Sequence, residues 1–207
     1  KNEYEEFLFK GHTIKWYSFA ERGIGLSRNT ALMRTKADIC LFADEDLVYT
    51  NDYVKIVLNA FNELLDADVI VFDVKLINIE KSIHHYRKIH KIFRLNHFNS
   101  MRYGACNIAI KREKVHKANL YFSLLFGGGS QYSAGEDSLF IRDCLKKKLR
   151  VYAYPAQIAE ADDSFSTWYS GITEKYLIDK GALLSVVFPK LFPLLFIYYA
   201  LKLKGKC

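Results

Sequence analysis

The sequence predicts an α/β fold, a mixed, mainly parallel sheet flanked by helices, and three observations carry that prediction. Ile39 to Ala43 is a short apolar run that reads as a buried strand, and Asp44, Glu45 and Asp46 stand directly at its end. Val54, Val57, Leu58, Phe61, Leu64 and Leu65 then recur on one face at helical spacing. Val69 to Phe72 follows as a β-branched strand, expected to be central. Strand, helix and strand in that order make a βαβ unit, whose two strands should run parallel.

The other elements follow in order. Ile14 to Phe19 is a short strand candidate, and Glu21 to Ser27 a loop with two glycines. Arg28 to Lys36 is expected as a helix with Ser27 as its N-cap. Asn51 or Asp52 can cap the helix already named. Residues 74 to 102 read as irregular and basic, and Gly104 to Lys111 returns to a strand pattern with Asn107 in its middle. Glu113 to Ala118 begins a short helix, and Gly127 to Gly129 is a flexible loop. Ser138 to Lys148 is helical, with Leu139, Phe140, Cys144 and Leu145 as its buried side. Arg150 to Tyr154 is a strand that Pro155 should stop. Trp168 to Lys180 is a helix candidate ending at Gly181. Leu183 to Leu203 is strongly apolar, yet Pro189, Lys190 and Pro193 interrupt it, so the expectation is not a spanning helix but either a bent amphipathic element in a membrane interface or an apolar helix packed on the core or cut from its natural partner. The organisation read from this is an α/β domain over 1–165 and a helical, apolar segment over 166–207.

Composition narrows the function classes. Half of the 207 residues are hydrophobic, with 15 Phe and 14 Tyr, which describes a chain with a substantial core rather than a disordered one. The four cysteines have no CxxC spacing, so free thiols in a reducing compartment are expected, not a disulfide framework or zinc knuckle. No basic region followed by an apolar run marks a signal peptide at the start. The net charge of +7 has its densest patches in Lys81 to Arg94 and in Lys202, Lys204 and Lys206. Such a surface favours polyanions, anionic lipid or phosphorylated substrates. His84, His85, His90 and His97 lie in or beside the first patch without a closed zinc-ligand spacing, and no RNA or DNA motif is present, so nucleic acid is not an expected partner.

Chemistry is suggested by two groups of acids. Ligands of α/β sheets bind beyond the carboxyl ends of the strands, where Asp44 to Asp46 would hold a hard divalent cation against phosphate oxygens. If the backbone stays extended, Asp44 and Asp46 point to the same side; the competing reading is that these acids merely cap the following turn. Glu136 and Asp137 open the helix that follows the glycine loop. Two adjacent acids repel, which raises one pKa toward the range of a general base, although acids also simply favour helix N-termini. Together the two groups point to metal-assisted group transfer rather than a binding module.

Four segments then resemble a known family in order and spacing: Gly25-Leu-Ser-Arg-Asn-Thr-Ala-Leu32, Ala43-Asp-Glu-Asp46, Gly104-Ala-Cys-Asn-Ile-Ala-Ile-Lys-Arg112 and Gly135-Glu-Asp137. They are similar to family 2 glycosyltransferases of the GT-A fold over roughly residues 13 to 165. The resemblance implies a nucleotide-diphosphate sugar as donor, Mn²⁺ or Mg²⁺ as cofactor, and inverting transfer to a glycan or lipid-linked saccharide in bacterial cell-surface polysaccharide synthesis. It implies Asp46 as metal ligand, Asp44 as a ribose or sugar contact, Arg28 and Asn29 near the donor nucleotide, and Asp137 of the Glu136-Asp137 pair as the base. Two departures stand out. The chain begins at what should be the second strand, so the first βα unit is expected to be missing. The histidine that some members carry as an additional metal ligand has no counterpart in Ala159-Glu-Ala-Asp-Asp163. A non-catalytic carbohydrate-binding scaffold and a metal-dependent nucleotidyltransferase are the alternative readings. The expected location is cytoplasmic, peripheral at the inner face of the membrane.

Overall fold

The computed structural model describes residues 3–77, 88–162 and 173–203. Lys81, His84, His85, Arg87, Asp163, Trp168, Lys204 and Lys206, on which some of the expectations above rest, lie outside that set.

The chain opens with a hairpin of β1 (Glu3–Phe9) and β2 (His12–Ser18), paired antiparallel with Phe9 opposite His12. Lys10 and Gly11 both have positive φ, the geometry of the two-residue hairpin turn that matches strand twist. The strand expected near Ile14 therefore exists, but it pairs only with β1 and stands apart from the main sheet. Both faces of the hairpin carry exposed apolar residues, Phe7, Leu8 and Trp16 among them.

Six strands form the main sheet: β3 (Ile39–Leu41), β4 (Leu47–Tyr49), β5 (Val69–Ile77), β6 (Phe93–Arg94), β7 (Ile108–Lys111) and β8 (Val151–Asp162). Their order is β3-β7-β5-β8-β4, with β6 also paired to β8. The sheet is mixed, and it corrects the expected balance of directions. β3 and β5 do run the same way, but β7 lies between them antiparallel to both, and β5–β8 is the one parallel pairing of the described strands. β8 also runs past Pro155, where a stop was expected. The β5–β8 register shifts between Val71 and Asp73, opposite Ala153 and Gln157, so the proline sits in an irregularity that needs no ladder donor from it.

Helices cover both faces. They are α1 (Ile24–Arg34), α2 (Tyr53–Glu63), α3 (Arg112–Lys117), α4 (Glu136–Lys146), α5 (Glu174–Val187) and α6 (Phe192–Leu203). Alternation along β5 sends Val69 and Val71 to a cluster with Leu32, Val115, Phe140 and Cys144, and Ile70 and Phe72 to one with Val57, Ala60 and Phe61. Burying each of these large β5 side chains contributes about 1.5–3 kcal/mol, which makes the pattern the main determinant of register. α2 turns a narrower stripe inward than its sequence suggested: Val57, Ala60 and Phe61 are buried, whereas Val54, Leu58 and Leu65 are exposed. Asp52 takes its N-cap position without a side-chain bond.

The end of the chain differs from expectation in its boundaries. α5 starts after Thr173, whose hydroxyl accepts the Tyr176 N–H, and it continues through Gly181 to Val187. Leu183 and Val187 bury against Phe126 and Leu139, which lends the glycine helical support from tertiary packing. The bend falls between α5 and α6, as Pro189 and Pro193 imply. No helix among the described residues is long and apolar enough to cross a membrane.

Candidate active site

The site begins with an unusual buried stripe on α1. Gly25, Arg28, Asn29 and Leu32 occupy positions i, i+3, i+4 and i+7, and with Thr30 they make five buried residues, three of them polar. That stripe hid the first turn from periodicity reading: the helix starts at Ile24 after Gly23, and Ser27, expected as the N-cap, lies inside it. Arg28 is 8 % exposed and its guanidinium makes two bonds of 2.7 Å, to Glu136 Oε1 and to Asp44 Oδ1. Its plane also lies over the Phe122 ring, 5.4 Å from the centroid. Burial opposes the charge, but the two carboxylates outweigh it and raise the Arg28 pKa further. Arg28 thus joins the acid at the end of β3 to the acid that opens α4.

Asn29 closes a reciprocal pair with the Phe122 backbone, its Nδ2 donating to the carbonyl at 2.9 Å and its Oδ1 accepting the N–H at 2.7 Å. The amide expected beside the nucleotide therefore pins the loop after α3 onto α1. Phe122 stacks on Phe140 at 4.3 Å, and Phe42 meets both rings edge-on at 4.9 and 5.8 Å. Phe42 lies just before Asp44 and Phe140 just after Asp137, so this aromatic group holds the two acid segments at a fixed spacing.

The connection from Phe42 to Asp46 links strands at opposite ends of the sheet order, so it carries its acids across the sheet's edge. The extended geometry expected for Asp44 to Asp46 does not hold, because Glu45 and Asp46 are in a turn that leads directly into β4. Asp44 is half-buried beside Arg28, whereas Glu45 and Asp46 are exposed.

Glu136 and Asp137 are the first two residues of α4. Gly135 precedes them with φ +113°, and a Cβ there would come within 2.7 Å of the Leu183 methyl groups, so both conformation and space require glycine. Gly127 of the preceding loop packs against the Glu136 carboxyl, where a Cβ would stand 2.9 Å away. Ser138 N–H donates to Asp137 Oδ1 at 2.6 Å. Burial, and after it the neighbouring Glu136 charge, push the Asp137 carboxyl up to about 7, against the pull of the Ser138 N–H and Arg28. An acid that titrates there is suited to accept a proton near neutrality.

The floor between the two acid segments is the 3₁₀ turn Ala105–Asn107, where the sequence suggested strand. Asn107 bonds across to β5, Nδ2 donating to the Phe72 carbonyl at 2.7 Å, while its Oδ1 accepts Gly104 N–H at 3.0 Å. Burial pushes the Cys106 thiol up to about 12, helped by Asp44, Asp137 and Asp46 and opposed by Arg28. All four charged groups lie within electrostatic reach of this thiol. The sequence showed Cys106 only as one thiol in an apolar stretch. Its neighbour Gly104 lies beside the acid, since a Cβ there would meet Asp137 Oδ2 at an ordinary van der Waals distance of 3.6 Å.

Among the described residues no three His, Cys, Asp or Glu side chains form a complete metal cage. The donor chemistry nevertheless fits a hard cation: Asp44 and Asp46 offer carboxylate oxygens, and Mg²⁺ or Mn²⁺ is commonly held by one or two carboxylates plus substrate phosphates.

A mixed sheet with helices on both faces, acids carried across its edge and a second acid pair at a helix start defines the GT-A class of transferase fold. The family model for Glycosyl transferase family 2 matches residues 2–117, and the chain belongs to that family. Among solved structures, S. aureus TarS residues 1–349 in complex with UDP-GlcNAc aligns with TM-score 0.61 at 16 % identity, covering 80 % of this chain and 46 % of that segment. The same TarS segment in complex with UDP aligns with TM-score 0.56 at 17 % identity, covering 80 % and 45 %. The chain therefore spans about half the length of these structures. No curated protein matches it.

Proposed function

We propose that this chain carries the catalytic acids of an inverting glycosyltransferase. It would move a sugar from a nucleotide-diphosphate donor to a hydroxyl of a glycan or lipid-linked saccharide in bacterial cell-surface polysaccharide synthesis. The observation that carries the reading is the Arg28 bridge, which brings Asp44 and Glu136 into one cluster from segments far apart in sequence. Asp46, with Asp44 beside it, would hold Mn²⁺ or Mg²⁺, which when bound neutralises charge on the leaving diphosphate. Asp44 also offers an acceptor for a ribose or sugar hydroxyl. Asp137 takes the proton of the acceptor hydroxyl as its oxygen attacks the anomeric carbon, and Glu136, paired to Arg28, keeps a negative charge beside Asp137 that sustains its basicity. Arg28 and Asn29 act by fixing the acids and the Phe122 loop around the donor.

The test is calorimetric titration of the full-length protein with UDP-GlcNAc, the donor that TarS was crystallised with, alongside other nucleotide sugars, with and without Mn²⁺. Asp46→Ala is expected to weaken the Mn²⁺-dependent part of donor binding by at least tenfold, about 1.4 kcal/mol. Equally tight binding in that variant removes Asp46 from the metal role. Release of nucleoside diphosphate during turnover supports sugar transfer, and release of pyrophosphate would make the protein a nucleotidyltransferase instead.

The same reading places the protein at a lipid surface. Leu194, Ile197 and Leu201 of α6 recur at helical spacing and are more than half exposed, with Lys190 ahead of the helix. An apolar helix face flanked by lysines suits an anionic bilayer, near a lipid-linked acceptor. Co-flotation with phosphatidylglycerol vesicles is expected for the intact protein and lost on removal of residues 190–207, which leaves the buried Leu183 and Val187 in place. Equal flotation with and without that segment would refute the assignment.

A further inference from the structure

We infer that Asp179 of α5 is a positioning residue for the acid pair, setting where Glu136 and Asp137 stand relative to Asp44; this rests on the transferase reading above. Asp179 belongs to the buried stripe of α5 together with Leu183 and Val187, and it is 8 % exposed. A carboxylate on such a stripe needs partners, and it has them. Its Oδ2 accepts the Ser133 N–H at 2.9 Å, and Lys175 Nζ donates to both of its oxygens at 3.1 Å and to the Gln131 carbonyl at 3.1 Å. Burial alone would raise its pKa, but the Ser133 and Lys175 bonds outweigh it and hold the carboxyl below its ordinary value, so it stays ionised. One helical turn further on, the Leu183 methyl groups fill the space that a Cβ on Gly135 would need. The segment from Gln131 to Gly135 is thereby clamped at both ends by α5, and it delivers Glu136 and Asp137 directly. The clamp holds the Glu136 side of the cluster, and Arg28 carries that placement on to Asp44.

The experiment compares Asp179→Ala, Asp179→Asn and Lys175→Met in the full-length protein by hydrogen exchange and by steady-state kinetics. In Asp179→Ala the Ser133 amide and the first turn of α4 are expected to exchange at least tenfold faster, with β5 and β8 unchanged. kcat is expected to fall about ten- to hundredfold with donor KM within twofold, because displacing a reacting group by an ångström has costs of that order. Asp179→Asn, which keeps an oxygen for Ser133, should restore most of both readouts, and Lys175→Met should lie between. Unchanged exchange at Ser133 in Asp179→Ala overturns the inference, as does a parallel loss of donor binding. If the unaltered protein transfers no sugar, the transferase reading fails, while the exchange measurement still decides whether Asp179 fixes the acid pair.

Discussion

Arg28→Met is expected to destabilise the domain by about 3–5 kcal/mol, the loss typical of removing one partner from a buried ion pair. For a chain of this size that corresponds to a fall in Tm on the order of 10 °C. Methionine keeps the aliphatic stem but removes the guanidinium, and with it the contact over the Phe122 ring. What remains is the Glu136 carboxylate, almost fully buried and deprived of its guanidinium partner. The more exposed Asp44 is hydrated and contributes less. Thermal unfolding of the single variants and of Arg28→Met/Glu136→Gln forms a double-mutant cycle. The double variant should recover at least 1 kcal/mol of the loss; strict additivity would show that Arg28 acts through packing alone.

Asp137→Asn is expected to lower turnover roughly 10²–10⁴-fold while leaving donor affinity intact, since general-base catalysis contributes on that scale. Undiminished turnover would remove Asp137 from the base role. In the unaltered protein kcat/KM should rise with pH through about 7, where the carboxyl loses its proton. The stability effect has the opposite sign. The folded-state pKa is raised above the unfolded value near 4, so between the two the folded state holds a proton that the unfolded state has lost. Stability therefore falls as pH rises through that window, and the cost is complete above about 7. Asp137→Asn abolishes it, so in metal-free buffer the variant should match the unaltered protein at pH 3.5 and exceed it at pH 8. Denaturant midpoints at the two pH values check this, and identical differences at both would contradict the raised pKa. A group costly to the fold and needed by the chemistry is the usual form of the stability–activity trade-off.

How much of this was legible in the sequence follows from what each residue reports. The β5 core was readable because Val69 to Phe72 is apolar on both faces, as a central strand must be. β7 as an antiparallel insertion was not, because direction within a sheet leaves no trace in the periodicity of Ile108 to Lys111. The acids were legible as motifs and their ion pairing was not: nothing local to Arg28 says that its partners are Asp44 and Glu136. The start of α1 was hidden because its buried stripe is polar, and the course of β8 because a proline usually marks an end, which a bulge here makes tolerable. Asp179 carried one usable sign, Lys175 one helical turn before it, but such a pair on an exposed face looks the same.

The strand order has a further consequence for how the protein comes into being on the ribosome. The hairpin β1–β2 and helices α1 and α2 form from contacts between neighbours and can appear as soon as they emerge. The main sheet cannot. β3 and the start of β5 wait for β7, and β4 and the rest of β5 wait for β8, so the sheet is complete only when residue 162 has been made. Until then the apolar strand Val69 to Val74 has a partner on one side only, β7 at Val69 to Val71, a period of partial exposure in which chaperones have most to do. Asp46, made more than a hundred residues before its neighbour β4 finds Ala159 to Ala161, is fixed by the sheet only when β8 arrives.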